Sequence, residues 1–170
     1  SSNTRVEGGN TITLKLHYNR EDGNYYNGTA NDTSDDWNAW IWGDGITSGR
    51  FDFVKENGEM VATVTIPGAP EVSTISYRIR RGDWKENDHG GKNQSIDLSD
   101  VACGTVHYYV ESGVLGGVRK LGSDAYTGNK ILSVNYDRNT NKITITTKYQ
   151  LPYCIPSDFV IKNTSLWDEQ

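Results

Sequence analysis

The chain has 170 residues, of which 35% are hydrophobic, and its net charge is −5. This length is typical of one domain, or of one domain followed by part of a second. The densest basic run, RIRRGDWK, is short, and phosphate binding needs clustered Lys and Arg, so we expect no nucleic-acid partner. No apolar run has the length needed to cross a bilayer, so we expect no membrane insertion.

The N-terminal third of the chain begins with SSNTRVEGG, residues 1–9, which is typical of a linker or a tag. TITLKLHY follows, and its apolar and polar residues alternate, which predicts a strand with one buried face. Residues 20–36 are polar and rich in Gly, Asn and Asp, which predicts a long loop. WNAWIW, residues 37–42, predicts the next strand.

The middle of the chain predicts further short strands. GRFDFV and EMVATVTI flank the turn KENG, which indicates a hairpin. STISYRIRR precedes the loop GDWKENDHGGKNQ, and SIDL and GTVHYYVES follow it. No long segment has helical periodicity, and Gly-rich turns separate β-branched and aromatic runs. We therefore predict an all-β fold, an immunoglobulin-like antiparallel β-sandwich.

The C-terminal part changes character near Tyr126. The stretch VLGGVRKLGSDAYTGNK is Gly-rich and predicted to be irregular, and KILSVNY, KITITTKY and DFVIKN then form a second series of predicted strands. These strands either complete the same sandwich or begin a second immunoglobulin-like linker module. We divide the chain into a linker or tag over 1–9, a sandwich over 10–125, and additional strands over 126–170.

The two cysteines, Cys103 and Cys154, are too few for a zinc site of the usual spacing. They allow a disulfide if the protein is secreted, and two free, buried thiols are equally compatible with the sequence. No other pattern of metal ligands is present, because the three histidines are dispersed along the chain. We expect neither a metal nor a cofactor.

The WNAWIW block holds three of the five tryptophans. Side chains on a strand alternate, so Trp37, Ala39 and Ile41 share one face, and Trp40 and Trp42 share the other. In one interpretation Trp40 and Trp42 fill the core, or both faces are buried. In the other they form an exposed apolar patch, which is typical of a binding site. A flat indole suits the apolar face of a sugar ring, and polar neighbours then bind its hydroxyl groups.

Five blocks occur in an order that resembles a known family: ITLKLHYNREDGNY, WNAWIW, MVATVTIPG, YRIRRGDWKENDHGGKNQSIDL and VHYYVESG. Over residues 10–115 the chain resembles the family 41 carbohydrate-binding modules of bacterial pullulanases and amylases. The resemblance implies a non-catalytic β-sandwich module that binds α-glucans such as starch, pullulan, glycogen and maltooligosaccharides. It also implies a secreted or cell-surface bacterial protein, with an α-glucan and the catalytic domain of its own parent chain as partners. We expect the module to be a monomer.

The resemblance also implies particular site residues. In that family the last two tryptophans of the block stack on neighbouring glucose rings, which corresponds to Trp40 and Trp42. The family's Lys and Asp in the following loop are replaced here by Asn87 and Asn93. An amide still donates and accepts hydrogen bonds, but it cannot form the charge-assisted ones. We therefore expect weaker binding than is usual for the family.

Other polar side chains near these positions are further candidates for hydrogen bonds to a sugar. Lys85, Asp88 and Lys92 lie close enough in sequence to replace the missing charges. His17 belongs to the polar face of its strand and is a candidate for the border of the binding face.

Catalysis is not expected. A small all-β glycosidase needs two facing carboxyl groups, about 5 Å or about 6.5–9.5 Å apart. Most carboxylates here lie in predicted turns, and Glu111 lies within or at the end of a predicted strand. Two other functions stay open: a structural spacer without sugar binding, and a module for another polysaccharide.

Overall fold

The computed structural model describes residues 11–26, 32–67, 72–129 and 131–148. These residues form thirteen strands and one short 3-10 helix, His89–Gly91. No helix in these ranges has the length and apolar character that crossing a membrane requires. The strands are β1 Ile12–Asn19, β2 Trp37–Gly43, β3 Gly49–Asp52, β4 Val54–Glu56, β5 Glu59–Ile66, β6 Thr74–Arg81, β7 Glu86–Asn87, β8 Gln94–Asp97, β9 Val101–Glu111, β10 Val118–Leu121, β11 Tyr126–Thr127, β12 Ile131–Asp137 and β13 Lys142–Thr147.

Two sheets form a β-sandwich, as predicted. The first sheet has the order β10-β9-β1-β5-β4, with β11 also paired to β9. The second sheet has the order β3-β2-β6-β7, with β8 also paired to β6. Apolar side chains from both sheets form one buried cluster, which includes Leu14 and Val64 from the first sheet and Ile41 and Ile79 from the second. Burying such side chains stabilises the fold by roughly 1.5–3 kcal/mol each.

One pair of strands departs from a fully antiparallel arrangement. β1 pairs antiparallel with β5 but parallel with β9. The alternation in TITLKLHY predicted β1 correctly, with Leu14 and Leu16 fully buried. The direction of the β9 partner does not follow from that local pattern, because β9 begins more than 80 residues later in the chain.

The predicted hairpin around KENG is present, and the chain crosses from the second sheet to the first just before it. Asn57 and Gly58 form the two-residue turn between β4 and β5, and both have positive φ (49° and 81°), as such tight hairpins require. The GRFDFV run divides at the buried Phe53: β3 lies in the second sheet and β4 in the first. The run therefore links the two layers of the sandwich.

The segment after β9 is more regular than predicted. β10 and β11 both pair with β9, although their stretch of sequence was predicted to be irregular. All four side chains of β10 are exposed, so no buried face imposes an alternating pattern on its sequence. β12 and β13 are strands, as predicted, and they pair with each other. DFVIKN and residues 1–9 lie outside the described residues, and the domain boundaries remain predictions.

Candidate functional site

The two faces of β2 have different surroundings. Trp37, Ala39 and Ile41, which the alternation put together on one face, are buried in the core. Trp40 and Trp42 are half-buried and lie on the outer face of the second sheet. The interpretation in which Trp40 and Trp42 fill the core is therefore wrong. The strand instead presents two indoles outward, next to each other on one face.

A third indole, which the sequence analysis did not single out, extends this face. Trp84 follows β6 in a tight turn, and its ring centroid lies 6.0 Å from that of Trp40, with the ring planes at 56°. It is 42% exposed. Its φ of 63° lies in the left-handed region, which costs an ordinary residue roughly 1–2 kcal/mol. We call Trp40, Trp42 and Trp84 the tryptophan surface.

A buried guanidinium group supports two of the three rings. Cζ of Arg80 lies 4.8 Å from the ring centroid of Trp40 and 4.4 Å from that of Trp84. Only 3% of Arg80 is exposed, and its Nη1 donates to Asp83 at 3.1 Å. Burial lowers the pKa of Arg80, and the carboxylate of Asp83 opposes that shift. The cation–π contacts hold the two rings in a fixed relation from below.

The fully buried amide of Asn38 fixes the turn that carries Trp84. Its Oδ1 accepts from Nε of Arg80 at 2.9 Å. Its Nδ2 donates to the carbonyl oxygens of Asp36 at 3.1 Å and Gly82 at 3.0 Å. Gly82 is required there because a Cβ would lie 2.7 Å from the carbonyl oxygen of Ser34. The start of β2 and the end of β6 are thereby joined.

Two further arginines flank Trp40 on the neighbouring strands. Arg78 on β6 and Arg50 on β3 are both its direct cross-strand partners, so their side chains share the outer face. Nε of Arg78 donates to Oδ1 of Asn93 at 2.6 Å, which brings this predicted residue to the outer face. Nε of Arg50 donates to Asp52 at 2.7 Å. Arg78 belongs to the short basic run RIRRGDWK, whereas no sequence pattern pointed to Arg50.

Residues 12–115 match the family model of the bacterial pullanase-associated domain. The chain belongs to this family. No curated protein matches the chain. The matched range runs from β1 through β9 and includes the whole tryptophan surface. The chain is accordingly a non-catalytic accessory module of a pullulanase-type enzyme, and such domains occur in bacterial extracellular enzymes.

Three residues of this pullanase-associated domain that were predicted to form hydrogen bonds with a sugar are exposed and lie near Trp84 and Asn93 in the chain. They are Lys85, Asn87 and Lys92. Asn87 lies on β7 opposite Arg80, so it projects from the outer face. Lys85 lies beside Trp84 in the turn, and its Nζ forms an ion pair with Asp35. Lys92 lies between the 3-10 helix and β8.

Asp88 has a structural position in this pullanase-associated domain. Only 8% of its side chain is exposed, and its carboxylate accepts from the Tyr18 hydroxyl and from the backbone N–H groups of His89 at 2.7 Å and Gly113 at 2.9 Å. Burial opposes ionisation, but these hydrogen bonds hold the pKa of Asp88 below its usual range. Asp88 thus anchors the loop before β8 to the first sheet. This role differs from the predicted one, a hydrogen bond to a sugar.

His17 lies on the outer face of the first sheet, so the structure does not bring it together with the tryptophan surface. Its Nε2 is 2.8 Å from Nδ1 of His107, and its Nδ1 is 3.1 Å from a carboxylate oxygen of Glu59. Cys103 is half-buried on β9, and Cys154, its candidate disulfide partner, lies outside the described residues.

Proposed function

We propose that this module binds α-glucan chains on the tryptophan surface, as a family 41 carbohydrate-binding module does. It would act as a monomer and keep a secreted or cell-surface starch-degrading enzyme, its own parent chain, close to the polymer. The observation that carries the proposal is the outward position of three indoles on one face, two of them in ring contact, in a member of the pullanase-associated family.

The chemistry of the surface supports a sugar ligand. An indole offers a flat apolar face to the C–H groups of a pyranose ring, and exposed apolar clusters of this kind mark binding sites. Polar groups at the rim then fix the orientation of the ring through its hydroxyls. The described rim offers donors from Arg78 and from the exposed amide of Asn87.

The tilt of the rings supports an α-glucan over a β-glucan. A straight β-glucan suits a flat row of rings, whereas the coiled α-glucan chain turns from one glucose to the next. The planes of Trp40 and Trp84 meet at 56°, so these two rings do not form a flat row. Arg80 holds both rings from below, so this tilt is present before any ligand binds.

The expected affinity is modest. A few stacked rings on an open face should give a dissociation constant in the micromolar to millimolar range, or about −8 to −4 kcal/mol. The benefit to the parent enzyme is an increased effective concentration of its catalytic domain at the polymer.

Calorimetric titration with maltoheptaose tests the proposal, with cellohexaose as the control sugar. The wild-type chain should bind maltoheptaose and not cellohexaose, and Trp40→Ala should lose at least tenfold in affinity, because it removes one stacking face. Tyr136→Ala, an exposed aromatic on β12, is the matched control and should bind like the wild type.

Two other outcomes distinguish the remaining functions. Absence of heat with both sugars, from a chain whose circular dichroism shows a folded protein, would contradict sugar binding and favour the structural spacer. Binding of cellohexaose in preference to maltoheptaose would instead identify a module for another polysaccharide.

A further inference from the structure

Arg78 lies next to the rings on which a sugar is proposed to stack. It is the cross-strand partner of Trp40, and its Cζ is 5.9 Å from the ring centroid of Trp84. Its side chain is half-buried on the outer face. A donor at this position can reach the edge of a ring that rests on the indole of Trp40.

The ion pairing of Arg78 differs from that of its neighbours on the same face. Arg50 pairs with the carboxylate of Asp52 at 2.7 Å, and Arg80 pairs with that of Asp83 at 3.1 Å. Among the described residues, Arg78 has no carboxylate partner, and its one hydrogen bond joins Nε to the neutral amide of Asn93. Its terminal nitrogens, Nη1 and Nη2, donate to no described residue.

Because the partner of Arg78 is the neutral amide of Asn93, the two terminal nitrogens of the guanidinium group, which form a planar donor fork, have no acceptor among the described residues. A carboxylate beside a guanidinium commonly accepts two parallel hydrogen bonds, which would occupy the fork. The amide oxygen of Asn93 accepts from Nε alone, at 2.6 Å, and so orients the group without occupying its terminal nitrogens. A planar fork with two parallel donors fits two adjacent acceptors, such as neighbouring hydroxyl groups on a sugar ring.

We propose that Arg78 is the specificity-determining donor of the tryptophan surface, and that Asn93 is its positioning residue. The terminal nitrogens of Arg78 donate to two adjacent ring hydroxyls of a glucose unit stacked on Trp40. This inference rests on the proposed function. The ligand class it defines is a neutral glucan whose 2- and 3-hydroxyl groups are both free.

Calorimetry with the full chain tests this assignment, using maltoheptaose and an analogue built from 2-deoxyglucose units. Wild type should bind the deoxy analogue about tenfold more weakly, since a charge-assisted hydrogen bond is lost. Arg78→Met should bind maltoheptaose about tenfold more weakly than wild type does and should no longer distinguish the two sugars. Arg138→Met, an exposed arginine between β12 and β13, is the matched control and should retain both affinity and discrimination.

Asn93 requires a separate readout, because a positioning residue acts only through its partner. Asn93→Ala should reduce discrimination against the deoxy analogue in the wild-type background and should have no further effect in the Arg78→Met background. Arg78→Lys keeps the charge and loses the fork, so it should recover little of the discrimination.

The possible failures are distinguishable. If Trp40→Ala loses affinity while Arg78→Met binds and discriminates as wild type does, the assignment of Arg78 is wrong and the proposed function stands. If Arg78→Met weakens both sugars equally and still discriminates between them, Arg78 supports the fold only and the assignment is again wrong. If the folded wild type binds neither sugar, the proposed function and this inference both fail.

Discussion

The outer faces of the two sheets both carry aromatic and basic side chains, but they use them differently. On the first sheet, Tyr109 stacks on His17 at 4.2 Å, and His17 lies within hydrogen-bond distance of His107. On the second sheet, Trp40 and Trp84 meet at a tilt, and Arg78 keeps unused donors beside them. The rings of His17, His107 and Tyr109 on the first face thus contact one another, whereas Arg78 on the second face keeps hydrogen-bonding capacity for a ligand.

This difference shows which feature indicates a binding face. Aromatic content alone does not separate the two sheets, because rings contact one another on both: His17, His107 and Tyr109 on the first, and Trp40 and Trp84 on the second. The exposure of Trp84 does separate them. His17 is 8% exposed, whereas Trp84 is 42% exposed.

The largest effect on stability should come from breaking the support under the tryptophan surface. Asn38→Leu leaves the buried guanidinium of Arg80 without its amide acceptor, so we expect the free energy of unfolding to fall by about 3 kcal/mol. Urea denaturation measures this change. Asn19→Leu on the first sheet removes an exposed hydrogen bond to Glu111 and should change stability by less than about 1 kcal/mol. Equal losses in the two variants would contradict the supporting role of Asn38.

A smaller effect should appear on the first sheet as a dependence of stability on pH. Burial lowers the pKa of His17, the neighbouring charge of Glu59 opposes that shift, and His107 adds to it. The unfolded chain therefore binds the proton more readily than the folded chain does as pH falls below about 6.5. Stability should decrease from pH 7 to pH 5.

His17→Gln checks this assignment, because the variant has no imidazole at that position. Thermal melting at pH 7 and pH 5 should show a smaller acid-induced loss in His17→Gln than in the wild type. Glu56, Lys15, Lys120 and Asp124 also carry charge on this side of the molecule and remain in both proteins, so they cancel in the comparison. An unchanged pH dependence would contradict the role of His17.

The parts of the fold that follow from local alternation were predictable. Side chains on a strand alternate at every residue, so TITLKLHY and WNAWIW showed which residues share a face before any pairing was known. Leu14 and Ile41 are fully buried, and Trp40 lies on the opposite face from Ile41. The alternation could not decide between core and surface for Trp40, because that choice depends on where the other sheet packs.

The parts of the candidate site that depend on turns and on distant pairing were not predictable. Trp84 joins the surface through a left-handed backbone conformation that its sequence does not demand. Arg78 meets Asn93 because β8 pairs with β6 in one register, with Tyr77 opposite Gln94. A single sequence contains no direct signal for that register.

The most direct test of the central claim is a nuclear magnetic resonance titration of the indole N–H signals with maltoheptaose. We predict that the signals of Trp40, Trp42 and Trp84 shift with a common dissociation constant, and that the signal of Trp37, which is 3% exposed in the core, stays in place. Saturable binding of maltoheptaose with no shift at the three surface tryptophans would contradict the assignment of the tryptophan surface as the α-glucan site.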